Sequence, residues 1–190
     1  MNDHERRRFF RIDDDVYLSY EAISEDEYQS AADFTQQSYS NAFSLTADFA
    51  NLNNEIHPVF NNIKQSNPEL AQYLELLNLK IDTLGKHLFE NENNLQSRKT
   101  TRVNLSATGI AFETQQAFED NQALSMQLIL LPEEVGIQVY GRVKNKRDTD
   151  KNIPLSCVDF EYIRTEDQEL IIKHNLNLQM KILRERSELD

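Results

Sequence analysis

The sequence predicts an α+β fold: a six-stranded antiparallel β-barrel interrupted by a helical-hairpin or coiled-coil insertion and followed by a C-terminal helix. Three observations predict it. Apolar residues alternate with a period of two near the N-terminus and again from residue 98 onward. The stretch between them shifts to the three- and four-residue spacings of helices, and a last helical segment opens at Thr165. The barrel is accordingly assigned to residues 1–23 and 98–190, and the helical insertion to residues 24–97.

Val16, Leu18 and Tyr20 alternate with Tyr17 and Ser19, the pattern of a short, half-buried strand over about residues 14–23. Ser24-Glu25-Asp26-Glu27 then reads as a helix start with an acidic first turn. Phe49, Leu52, Ile56, Val59 and Ile63 follow one another at three- and four-residue intervals, a single apolar seam, with Pro58 expected to bend or break that helix. Ser66-Asn67-Pro68-Glu69 supplies a cap with proline at the first helical position. Leu70, Leu74, Leu77, Ile81, Leu84 and Leu88 continue a second arm over about residues 68–95. At 1.5 Å per residue that arm extends roughly 40 Å, long for part of a small domain, so it needs a partner surface. Either the seams pack on each other and on the barrel, or they drive self-association as a coiled coil or four-helix arrangement. The insertion carries eleven acidic residues against three lysines, mostly off the seams, as a solvated outer face requires.

Residues 98–105, 109–114, 124–131, 135–147 and 153–163 each support a strand, with Leu124, Met126, Leu128 and Leu130 alternating most cleanly. With the first strand they suffice to close a small barrel and so remove exposed edges. Thr165-Glu166-Asp167 opens the final helix, whose Leu170, Ile171, His174, Leu178 and Ile182 are expected to pack over the barrel.

Composition excludes several functions. A formal net charge of −12 over 190 residues leaves no broad basic face for general DNA or RNA binding. No apolar run approaches a membrane span, and Arg11 is soon followed by Asp13, Asp14 and Asp15 rather than a signal-peptide core. A soluble cytoplasmic protein is expected. Its one cysteine, Cys157, cannot close an internal disulfide and is expected to be a small buried hydrophobe. His4, His57, His87 and His174 lack ligand spacing, so no metal and no resident cofactor are expected. Nothing resembles a Ser/His/Asp set, a P-loop or a working carboxylate pair, and the reading is a binding module rather than an enzyme.

Arg6, Arg7, Arg8 and Arg11 concentrate positive charge in an acidic chain. Planar guanidinium forks suit phosphate oxygens and the O6/N7 edge of guanine, so a small anionic guanine nucleotide fits their chemistry. Phe9 and Phe10, set between the arginines, are expected to anchor that segment on the barrel. Asn104-Leu105-Ser106-Ala107-Thr108-Gly109 offers an amide, a hydroxyl and a glycine in one turn, which lets backbone approach a ligand. Taken singly, the first element is also what a basic tail looks like, and the second an ordinary hairpin.

Together and in this order, R-x-x-x-R over residues 7–11 and [D/N]-x-S-x-x-G over residues 104–109 resemble the PilZ domain family, bacterial receptors of cyclic di-GMP. The likeness covers both motifs, the strands from 98 to 163 and the helical tail, but not residues 24–97. It implies a PilZ-like barrel in which Arg7 and Arg11 grip guanine edges and phosphates while Asn104, Ser106 and the Gly109 backbone hold the opposite side. Arg6, immediately before R-x-x-x-R, implies two stacked, intercalated ligand molecules, and Arg8 is a further candidate contact. The implied output is signalling to motility, biofilm, surface-polysaccharide or pilus machinery, while the length and seams of the insertion favour a homo-oligomer formed through it. The rival expectation is a nucleotide-independent oligomeric scaffold working through the helices. If the arginines precede the first strand and the Ser/Gly turn follows the second in an antiparallel pair, the insertion starts at the pole away from the ligand.

Overall fold

The computed structural model describes residues 10–34, 42–93, 99–147 and 155–187. These residues form β1 (Ile12–Ala22), β2 (Thr101–Ser106), β3 (Gly109–Glu113), β4 (Ala123–Leu130), β5 (Val135–Arg147) and β6 (Leu155–Tyr162). The six strands close into an antiparallel barrel in the order β1-β2-β3-β6-β5-β4. Between β1 and β2 run α1 (Glu25–Phe34), a 3₁₀ turn (Ala42–Ser44), α2 (Leu45–Ser66) and α3 (Pro68–Asn93), while α4 (Thr165–Ser187) follows β6.

Closure depends on β1 serving two neighbours. Its first half, Ile12 to Val16, pairs with β2, and its second half, Tyr17 to Ala22, pairs with β4. Alternation then sends Val16, Val103, Leu105, Ile110, Phe112, Leu124, Met126 and Leu128 inward, where all are buried. Ala47 of α2 and Leu170 and Ile171 of α4 join the same core and stop one mouth of the barrel. Cys157 departs from expectation: it is half-buried, because Ser156 and Val158 take the inward positions on β6 and the two-residue period turns the thiol outward.

The helix starts follow their sequence signals. Ser24 and Glu27 form a capping box, in which the Glu27 carboxylate accepts from the Ser24 N–H at 2.8 Å and the Ser24 hydroxyl accepts from the Glu27 N–H at 3.3 Å. Asn67 Oδ1 caps α3 by accepting from the Leu70 N–H at 3.1 Å. Pro58 does not end α2, which continues from Leu45 to Ser66. Residues 52–59 are exposed, so the carbonyl that proline leaves without a donor is open to solvent rather than buried.

The hairpin packs through a stripe other than its leucine seam. Ala71, Gly85 and Phe89 are the buried positions of α3, and Gly85 admits the Phe49 ring so closely that a Cβ there would meet it at 2.5 Å. Leu70, Leu77, Ile81, Leu84 and Leu88 remain exposed, as do Leu52, Ile56 and Val59 on α2, with Leu84 at 64 %.

α1 lies where expected, at the pole away from the β2–β3 turn, since Ile23 N–H bonds the Ala123 carbonyl beyond the end of β1. The chain then returns. Phe43 and Phe89 pack on Ile129 near the end of β4, and Gly136 at the start of β5 donates its N–H to Thr46 Oγ1 at 2.9 Å. The base of the hairpin therefore sits at the same pole as the β2–β3 turn, and α4, entering from the end of β6, sits there too. Among the described residues no helix is long and apolar enough to cross a membrane.

A Cβ at Gly136 would collide with the Phe43 carbonyl and lie 2.8 Å from the Phe89 ring. Gly136→Ala should therefore prise the hairpin base from the barrel and cost about 1–3 kcal/mol, read as a lower urea midpoint with unchanged slope.

Candidate functional site

The antiparallel register Ile12↔Leu105 and Asp13↔Asn104 carries the end of the arginine segment to the β2–β3 turn. Arg11, one residue before that first pair, is half-buried, and its Nη2 lies 3.2 Å from where a Cβ on Gly109 would stand. Glycine is needed here for close approach, since the same Cβ would come within 2.6 Å of the Val158 carbonyl. Asp159, paired with Gly109 across β3–β6, brings Oδ1 to 3.4 Å from that point. Arg11, Gly109 and Asp159 thus meet at one spot on the barrel rim. Nothing in the sequence singled out Asp159; only the strand register places it.

The turn is held from within. Ser106 is buried and donates its hydroxyl to the Gly109 carbonyl at 3.1 Å while accepting from the Thr108 N–H at 3.4 Å. Phe160 N–H bonds the Thr108 carbonyl at 2.9 Å, tying the turn to β6. Asn104 donates its amide N–H to Asp13 Oδ1 at 2.7 Å, leaving its carbonyl oxygen as the acceptor beside the turn.

The acidic run after Arg11 is engaged rather than loose. Asp13 holds Asn104, Asp14 meets His174 Nε2 at 2.8 Å, and Asp15 accepts from Arg102 at 3.0 Å. Three of the four candidate arginines, Arg6, Arg7 and Arg8, lie outside the described residues, as does Phe9. Phe10 is half exposed and is not among the residues of the barrel core.

Sequence reading did not foresee what α4 contributes. Gln168 donates to the Ala107 carbonyl at 3.0 Å and Asn175 to the Leu105 carbonyl at 3.2 Å, so α4 grips the backbone of the S-x-x-G segment directly. At its base Arg164 is bidentate to Asp167, both bonds 2.8 Å, and reaches Asp48 of α2 at 2.8 Å. Burial works against the charge on Arg164, but the carboxylates of Asp167 and Asp48 outweigh it and hold the group above the ordinary arginine value. A lone arginine before a helix start gives no sequence signal for such a cluster.

Chemically, the rim offers a guanidinium, a closely approachable glycine backbone and an amide acceptor, a set for a planar, anionic, hydrogen-bonding ligand. Among the described residues no group of three His, Cys, Asp or Glu side chains is arranged to hold a metal ion.

Comparison with known proteins bears on this fold. A crystal structure of a pathogenic protein from Xanthomonas campestris, a tetrameric PilZ domain self-assembled through a helical bundle, has a TM-score of 0.55 at 14 % identity, covering 93 % of this chain and 90 % of that one. The Bacillus subtilis inhibitor of motility MotI matches 45 % of this chain and 44 % of its own, with a TM-score of 0.39 and 22 % identity. The PilZ domain of Escherichia coli YcgR with c-di-GMP matches 48 % of this chain and 79 % of its own, with a TM-score of 0.34 and 12 % identity. No curated protein matches the sequence. The PilZ domain family matches residues 83–177, half of the chain, from within α3 to within α4. The chain belongs to the PilZ domain family.

Proposed function

We propose that the chain is a receptor for cyclic di-GMP, acting in the cytoplasm through an N-terminal arginine arm that orders over the ligand. The observation that carries this reading is the meeting of Arg11 Nη2 with Gly109 at the β2–β3 turn. A dianion with two guanine faces needs positive charge, forked donors to O6/N7 and an arm that closes. Arg7 and Arg11 supply the forks, Arg6 the contact for a second, intercalated molecule, and Arg8 a further cation. Asn104 accepts guanine N–H groups through its carbonyl oxygen, and Gly109 presents backbone. Ser106 completes the opposite side of the site and holds the turn through its bonds to Gly109 and Thr108. The role is recognition, not catalysis, with output to motility, biofilm or surface-polysaccharide machinery.

A second reading has its own support: the exposed seams of α2 and α3 favour self-association through the hairpin. The likeness to a Xanthomonas protein that assembles through a helical bundle supports the same reading. Taken alone, it describes a nucleotide-independent scaffold.

Titration of the purified chain with cyclic di-GMP, GTP and cyclic di-AMP tests the receptor; binding of none leaves the scaffold. Arg11→Ala should weaken cyclic di-GMP binding about ten- to a hundredfold by calorimetry, the loss of one charge-assisted contact. Ser106→Ala should lower stability by about 1 kcal/mol by freeing the turn, with a smaller loss of affinity than Arg11→Ala. The paired change Leu77→Glu and Leu84→Glu should convert an oligomer to monomer in sedimentation while leaving the circular dichroism of the barrel intact.

A further inference from the structure

We infer that nucleotide binding at the β2–β3 turn and self-association of the α2–α3 hairpin are thermodynamically linked, with α4 as the shared element. This rests on the receptor and assembly readings above. One side of α4 holds the site: Gln168 on the Ala107 carbonyl, Asn175 on the Leu105 carbonyl and His174 on Asp14, three residues past Arg11. The other side holds the hairpin: Arg164 on Asp48 of α2 and Lys173 on Asn54 of α2 at 2.6 Å. These contacts run from Arg164, the residue just before α4, through its first three turns to Asn175.

The chemistry of the contacts makes α4 a discrete coupler rather than a soft cushion. Arg164 is locked between Asp167, fully buried, and Asp48, with planar bidentate geometry that cannot slide without breaking. On the site side, Asn175 Oδ1 is buried without a hydrogen-bond partner among the described residues, so this face of α4 is not at a fully satisfied minimum. Room for movement exists on the hairpin side of α4, along Lys173, His174 and Asn177. A cleft of about 460 Å³ separates the hairpin from the β4–β5 turn and α4, floored by Phe49, Leu130 and Val135 and walled by Lys173 and His174. A shift of the Leu105 to Gly109 backbone on ligand binding moves α4, and α4 carries α2 with it through Asp48 and Asn54. α2 bears Leu52, Ile56 and Val59 of the exposed seam, so its setting against the barrel decides how two hairpins meet.

Linkage makes the effect reciprocal: the factor by which ligand changes the association constant equals the factor by which association changes ligand affinity. The test measures both on the full chain. Sedimentation with and without cyclic di-GMP gives one factor; calorimetry on wild type and on the Leu77→Glu, Leu84→Glu variant gives the other. The expected result is two equal factors of at least about fivefold, falling towards one in Asp48→Asn with Lys173→Ala, which removes the polar links of α2 to Arg164 and α4 while Thr46 and Ala47 still seat α2 on the barrel and the site and seam residues stay in place. Factors of one in wild type that both binds and assembles overturn the linkage. A readout in ligand-free protein separates this from failure of the receptor reading. Amide exchange at Thr108 and Gly109 should rise several-fold in Asp48→Asn with Lys173→Ala. If wild type binds no nucleotide but exchange still responds, the receptor reading falls and the mechanical link stands; unchanged exchange removes the link.

Discussion

The pairing of β1 with β2 is the constraint on which the rest of the molecule depends. Two short strands separated by the whole helical insertion must meet in one register, Ile12 on Leu105 and Val16 on Thr101, before the barrel can close. The entropy of closing so long a connection is less forbidding than it looks, because it rises only logarithmically, by about 0.6 kcal/mol per doubling of length. The inserted helices also fold back and dock, so the connection is not a free coil. β1 repays its two halves differently. Its second half completes the sheet with β4, and its first half delivers Arg11 to the rim. A one-residue slip would turn Val16 outward and face Arg11 into the core, so barrel packing itself enforces the geometry of the site.

Much of this architecture was legible because the signals were local. Period-two alternation located all six strands to within a few residues, and the Ser24 and Asn67 caps fixed where α1 and α3 begin. What was not legible depended on tertiary docking. The return of the hairpin to the pole of the β2–β3 turn rests on Phe43 and Phe89 settling against Ile129, a contact with no sequence spacing to betray it. Pro58 reads as a bend or a break in isolation, yet α2 runs on through it along a stretch open to solvent, where the carbonyl the ring leaves without a donor is accessible to water. Of the R-x-x-x-R segment only Arg11 lies among the described residues, and its approach to Gly109 followed from the strand order. The inward role of Ser106 and the presence of Asp159 did not, because burial and cross-strand register are properties of the assembled sheet.

The hairpin shows how a periodic pattern can be right about a helix and silent about its orientation. α3 carries two stripes, a leucine-rich one and one of Ala71, Gly85 and Phe89, and the second is turned to α2 and the barrel. Small residues let backbones approach closely, which is why Gly85 can receive Phe49. Asn53 and Asp82 meet across the two helices at 3.4 Å, a polar contact a leucine seam would not accommodate. The larger apolar stripe is left outward.

The polar cluster beneath α4 is hard to explain by stability alone. Removing Arg164 and Asp167 from water, and Asp48 in part, costs several kcal/mol for each fully buried ion before their attraction is counted, and well-packed hydrophobic side chains would often serve as well or better. Such clusters confer direction instead, since a guanidinium shared by two carboxylates fixes one arrangement of α4 against α2 and penalises every other. The same helix uses only polar side chains to hold the β2–β3 backbone. Apolar plugging by Leu170 and Ile171 seals the barrel mouth without dictating how α4 is rotated over it. Rotation is set by the polar contacts, and those contacts divide between the rim and the hairpin. α4 can therefore keep the barrel closed while its orientation follows whichever of the two sides is held more firmly.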